Sequence, residues 1–164
     1  MSCGSEYETQ NCITDTLLAI VEAQDKVDHG HHEGATGCNR AIQELVGGIK
    51  TSGYNTIPII LQLKCTGLPF IGFGAVRENV SPSTSSLLHS AVFRVEDVDP
   101  ENNCASLELL KSSSTIPYIT DSQPTSASVL FDMQNEVLTC TDAFITVDLS
   151  AFVSVSCLPP ITLT

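Results

Sequence analysis

The segment FITVDLSAFVSVSC, residues 144–157, constrains the fold more than any other stretch of the chain. Its odd positions, Ile145, Val147, Leu149, Ala151, Val153, Val155 and Cys157, are all apolar. The even positions carry Thr146, Asp148, Ser150, Ser154 and Ser156, interrupted only by Phe144 and Phe152. A period of two is that of a β-strand with one dry face and one wet face. The alternation predicts one long strand with Ile145, Val147, Leu149, Val153 and Val155 directed into a core. A slip of one residue would turn all of them outward, so the register is strongly specified.

The same grammar runs upstream. Ile57, Ile59, Leu61, Leu63 and Cys65 share one face of a strand that leads into the turn TGLP. FIGFGAV reads as the next strand. Its Gly72-Phe73-Gly74 lacks the third glycine and the following helix of a dinucleotide fingerprint, so a bulged or tightly packed strand is the better reading. His89 to Val98 alternates through Ala91, Phe93 and Val95, opposed by Ser90, Arg94 and Glu96. The acidic turn DVDPENN then leads into CASLELL, predicting a hairpin, and SVLFDM and EVLTCTD are shorter strand candidates.

Helical spacing is confined to the first third. Ile13, Leu17, Ile20, Val21 and Val27 fit a helix near residues 12–28, which Asn11 would cap and Asp15 would favour in its first turn. Ile42, Leu45 and Val46 fit a second short helix over 39–46, stopped by Gly47-Gly48. The expected fold class is mainly β (α+β): an antiparallel β-sandwich or barrel-like domain with an N-terminal helix. Residues 1–11 read as a flexible N-terminal arm and 12–164 as a single globular β-rich domain, with a Ser/Thr/Pro-rich stretch at 111–127.

Composition narrows the function. Hydrophobic residues make up 42% of the 164 and charged ones 16%, a globular balance with enough chain for a core. The net charge of −12, from 19 acidic against 7 basic residues, argues against nucleic acid and anionic membranes, which need Lys and Arg to replace counterions. No apolar run approaches the roughly 18 residues of a membrane span, and no signal peptide is expected from the first dozen residues.

Seven cysteines remain to be explained: Cys3, Cys12, Cys38, Cys65, Cys104, Cys140 and Cys157. An odd number leaves one thiol unpaired or bonded to another chain. None forms Cys-x-x-Cys, which weakens zinc-ribbon and thioredoxin-like readings. His29, His31, His32 and Cys38 are metal-ligating types, but without paired ligands at defined spacing they read as a solvated loop. His89 with Cys157 is the one pair worth naming for cysteine nucleophilic catalysis, yet Val153 and Val155 flank Cys157 with apolar surface that would keep its thiol inert. No catalytic residue, cofactor or metal is therefore assigned. Cys65 and Cys157, on apolar faces, are expected to be buried structural thiols. Cys3, Cys12, Cys38 and Cys104 sit in an arm, a helix start, a loop and a polar strand face, and are the candidates for intermolecular disulfides.

LLAIVEAQDKVD, TGC, NTIPIIL, GFGAV, VFRVEDVDPENNCASLELL and TDAFITVDLSAFVSVSCL occur here in the order seen in the spore coat protein Y/Z family, which includes CotY, CotZ and the exosporium protein ExsY. The resemblance spans roughly residues 11–158, apart from a variable stretch at 111–136. It implies a structural protein made in the mother cell without a signal peptide and placed on the spore surface, in the outer coat or exosporium. There it would self-assemble into disulfide-stabilised layers, with itself and other coat or exosporium proteins as partners. The alternative is an adaptor that anchors another component to such a layer. Family members typically carry cysteine where this chain has Phe144, Ala151 and Val153, and often where it has Thr14, so it resembles a cysteine-depleted relative.

Overall fold

Residues Cys12–Asp25 form helix α1 in the computed structural model, which describes residues 12–26, 38, 42, 45, 53–77, 85–112 and 137–163. Ile13, Leu17 and Ile20 recur at helical spacing and are buried together, so one apolar stripe docks the helix. Cys38, Ile42 and Leu45 also lie in helical backbone, while Val27 and the rest of the expected second helix lie outside the described residues.

The rest is antiparallel β. Strands β1 (Ile59–Leu63), β2 (Gly72–Arg77), β3 (Ser85–Ser90), β4 (Phe93–Asp99), β5 (Cys104–Leu109), β6 (Lys111–Ser112), β7 (Leu138–Thr139), β8 (Phe144–Asp148) and β9 (Phe152–Cys157) follow in chain order. A five-stranded sheet has the order β8-β5-β4-β1-β9, and β2–β3 and β6–β7 form separate two-stranded antiparallel sheets. The chain is thus a β-rich α+β protein with an N-terminal helix. The sheet is curled, because its two edges, β8 and β9, are joined by only the 3₁₀ turn Leu149–Ala151.

One face of this sheet makes the core. Ile59 and Leu61, Phe93, Val95 and Val98, Ala105, Leu107 and Leu109, and Val147 and Phe152 pack there with the α1 stripe. The β2–β3 sheet covers the same cluster through Val76 and Leu88. A side chain at Gly72 would put a Cβ 2.7 Å from Ile145 Cδ1 and Phe93 Cε1, which is why this strand needs glycine. The tightly packed reading of Gly72-Phe73-Gly74 therefore holds. Across the sheet a smaller cluster joins Val92, Leu110 and Leu163.

Two strand expectations change. The alternation from His89 to Val98 is broken at Ala91–Val92, where the buried Ser90 hydroxyl accepts from the Val92 N–H at 3.0 Å and lies 2.7 Å from the Leu110 carbonyl. The stretch 144–157 is two strands, not one. Asp148 accepts from the Ser150 N–H at 2.8 Å, capping the 3₁₀ turn and resetting the register. Val147 and Leu149 are buried, and Ile145 and Val155 are half-buried against the core, as expected. Val153 is instead 57% exposed, and Phe152, the even-numbered exception to the alternation, takes its place inside.

Candidate functional site

The two ends of the sheet differ in their thiol chemistry. At one end is the β4–β5 turn. Asp99 Oδ1 accepts from the N–H groups of Glu101 (3.0 Å) and Asn102 (3.1 Å), and its Oδ2 accepts from Asn102 Nδ2 at 2.7 Å. Asn103 then adopts the left-handed region at φ 55°, which asparagine tolerates better than most residues, and chain reversal is complete. Two other elements meet this turn, and the end of β1 reaches it only through the 3₁₀ turn Leu149–Ala151. The Thr14 hydroxyl of α1 donates to Asn103 Oδ1 at 2.6 Å, and the Leu149 N–H donates to the Asn103 carbonyl at 2.9 Å. The Lys64 N–H, just past β1, donates to the Ala151 carbonyl at 2.8 Å.

That convergence gathers Cys12 at the start of α1, Cys104 at the start of β5 and Cys65 in the turn after β1. All three are free thiols: Cys12 and Cys65 are exposed, and Cys104 is half-buried with its Sγ 3.4 Å from the Asn102 carbonyl. The expectation of a buried Cys65 is corrected. The strand ends at Leu63, and the chain turns through residues 64–66 to Gly67 at φ 66°, which swings Cys65 into solvent. The structure does not describe Cys3 or His29, His31 and His32.

At the other end of β1, Cys157 sits opposite Ile59 and is bonded to Cys38, with a Cα–Cα distance of 4.7 Å and 119 residues between them. Cys38 thus has a partner within the chain, correcting its expected intermolecular role. Cys157 is half-buried and oxidised, where a buried free thiol was expected. The His89–Cys157 pair accordingly has no thiolate to offer. His89 lies exposed on β3, its ring 6.2 Å from that of Phe73.

Cys140 is the thiol to which the alternation assigned no role. Burial pushes its pKa up, and the Glu108 carboxylate pushes it further against a smaller opposing pull from Arg94. Glu108 is itself buried, with Oε1 accepting from the N–H groups of Thr141 (3.1 Å) and Asp142 (3.0 Å) and Oε2 3.8 Å from Arg94 Nη1. A lone Glu between Leu107 and Leu109 was the available signal for a carboxylate that organises a loop. The cluster fastens the chain before β8 and keeps the Cys140 thiol protonated and unreactive.

The described residues thus place three free thiols towards one end of a β-rich domain and one disulfide towards the other. The chain matches the spore coat protein Z family over residues 1–160 and belongs to that family, whose role is structural. No curated protein and no solved structure matches it. No helix among the described residues is long and apolar enough to cross a membrane.

Proposed function

We propose that the protein is a self-assembling structural subunit of a spore-surface layer, outer coat or exosporium. Non-covalent contacts set the geometry of the assembly and intermolecular disulfides lock it. The observation that carries this reading is the placement of Phe144, Ala151 and Val153. These are the positions in 144–157 where family members typically carry cysteine, and all three are exposed, Phe144 by 50% and Val153 by 57%. Thiols there would point away from the domain, towards other chains. In this protein they are apolar side chains, and exposed apolar groups at sheet edges favour contact between subunits. Thr14, at a further family cysteine position, is buried and hydrogen-bonded to Asn103, so it adds a fastening within the domain.

The adaptor reading has one observation in its favour, the scarcity of outward thiols just described. Electron microscopy of the purified, oxidised protein at high concentration separates the two. Extended arrays support the subunit; discrete particles at every concentration would overturn it in favour of the adaptor. Replacing Val153 and Phe144 by Asp should shrink or abolish arrays if these side chains make the contacts.

A further inference from the structure

We propose that the outward face of the β2–β3 sheet docks the same face of a second copy of this chain, through an apolar contact related by a half-turn. The contact presupposes the self-assembly proposed above and adds a second kind of contact to it.

Phe73 and Leu87 are the most exposed large apolar side chains among the described residues, at 70% and 72%. They lie on one face. In β2 the even positions are directed inward: a Cβ on Gly72 would strike Phe93, one on Gly74 would lie 3.2 Å from Ala143, and Val76 packs against the core. Phe73 and Ala75 therefore point outward, as do Leu87 and His89 of β3, whose Leu88 packs inward. The register sets Phe73 opposite His89 and Ala75 opposite Leu87, so Phe73 and Leu87 occupy one diagonal of a square.

Charge selects the occupant. A chain of net charge −12 repels its own copies, so a contact between copies needs surface without carboxylates. Neither Gly72–Arg77 nor Ser85–Ser90 contains Asp or Glu, whereas α1, β4, β5 and β8 all do. Shape points the same way. A half-turn about an axis lying in the face and crossing the strands lays Phe73 of each copy over Ala75 of the other, and Leu87 over His89. The largest side chain meets the smallest, and the contact reads the same from both sides, as an isologous interface requires.

Area sets the strength. Phe73 and Leu87 on two copies together remove on the order of 500 Å² of apolar surface from water, well under the roughly 1,200 Å² of a stable complex. The pair is weak when isolated. An isologous contact also closes on itself, so an extended assembly needs a further contact, which Phe144 and Val153 supply at the sheet edges. Within such an assembly each weak contact holds its partner near the other, and the two reinforce one another.

The test uses the full chain with its free thiols alkylated under non-reducing conditions, carrying Phe144→Asp and Val153→Asp to remove the edge contact. Sedimentation velocity should show a monomer–pair equilibrium that shifts to pairs with concentration. Raising salt from about 10 mM to about 1 M shortens the screening length from about 30 Å to about 3 Å, and should tighten pairing severalfold by weakening the repulsion between copies. Adding Phe73→Asp should loosen pairing about tenfold or more, and Phe73→Lys should do the same. An equimolar mixture of the two should pair at low salt, which misfolded variants would not do. Pairing indifferent to Phe73→Asp, pairing weakened by salt, or a mixture no better than its components would overturn the proposal. So would monomers at every concentration whose Phe73 instead takes up dodecyl maltoside, since the face would then belong to a lipid-like occupant. Arrays formed equally well by the native chain with and without Phe73→Asp would sink this inference and leave the structural-subunit reading standing. A native chain that formed neither arrays nor pairs would remove both.

Discussion

The three-stranded unit β8-β5-β4 and the two-stranded unit β1-β9 belong to one sheet but are held in different ways. β4 and β5 pair from Phe93↔Leu109 to Asp99↔Cys104, and β5 and β8 pair from Glu108↔Phe144 to Cys104↔Asp148. β1, by contrast, meets β4 at a single pair, Ile59↔Phe93. Past that point β4 bulges between Val95 and Asp97, and α1 bridges the opening. Gln24 donates from Nε2 to the Val95 carbonyl at 2.8 Å and accepts on Oε1 from the Ile57 N–H at 3.1 Å. The Cys38–Cys157 bond fastens the far edge. Ladder hydrogen bonds hold the first unit; a few discrete fasteners hold the second to it.

The largest effect should come from the covalent fastener. Closing a loop of 119 residues restricts the unfolded chain, and removing such a link costs on the order of 4–5 kcal/mol by the chain-entropy account. Cys157→Ser should therefore lower urea-unfolding stability by about that much. Hydrogen exchange should show β1 and β9 opening first while β4 and β5 keep their protection. Equal loss of protection in both units would break the comparison.

Phe93 is the next point of attack, because it is the residue through which the two units pair. It is fully buried, faces Ile59 on one side and Leu109 on the other, and stacks on Phe70 with ring centroids 5.6 Å apart. Phe93→Ala should cost about 3–5 kcal/mol, with both units loosened together. Gln24→Leu should cost less, about 1–3 kcal/mol, because it leaves the Val95 carbonyl and the Ile57 N–H without this partner. Its signature should be faster exchange at Ile57 with β5 and β8 unchanged.

The ladder-held unit was the more legible one. Phe93, Val95 and Val98 facing Ala105, Leu107 and Leu109 across an acidic turn is a pattern that local residues specify by themselves. The helix was legible for the same reason, through Ile13, Leu17 and Ile20. What failed did so where alternation continues past a strand end. Cys65 keeps the odd-position parity of β1, but Lys64 and the Thr66-Gly67 turn already stop the strand. In 144–157 the parity of Val153 matches that of Val147, yet Asp148-Leu149-Ser150 is a capping signal and Phe152 marks the new register. The Cys38–Cys157 bond had no local signal at all, because two residues 119 apart meet only through the folded topology. The grouping of three free thiols at one end is legible only after that topology is known.

The smallest predicted effects oppose the two ends of the sheet in pH. At the thiol end, Asp99 is held below the ordinary value of 3.8 by the Asn102 side chain first and the Asn102 N–H next, and Asp148 by its hydrogen bonds from Ser150. Folding lowers both pKa values, so the folded state binds these protons more weakly than the unfolded chain does. Their contribution is present above about pH 4 and fades as pH falls through the lowered folded values. Asn at both positions keeps an accepting oxygen but does not titrate, so the melting temperature of wild type should fall faster than that of the double variant below about pH 4. At the other end the sign is reversed. Burial and Glu108 raise the Cys140 pKa from 9.0, so its contribution is present below about pH 9 and fades as pH rises through the folded value. Cys140→Ser removes that group, and wild type should lose stability relative to it in alkali. Differential melting of both variants across the two pH ranges tests the pair of claims. A wild type that lost ground to Cys140→Ser in acid, or to the double aspartate variant in alkali, would show that these groups are not what makes the two ends differ.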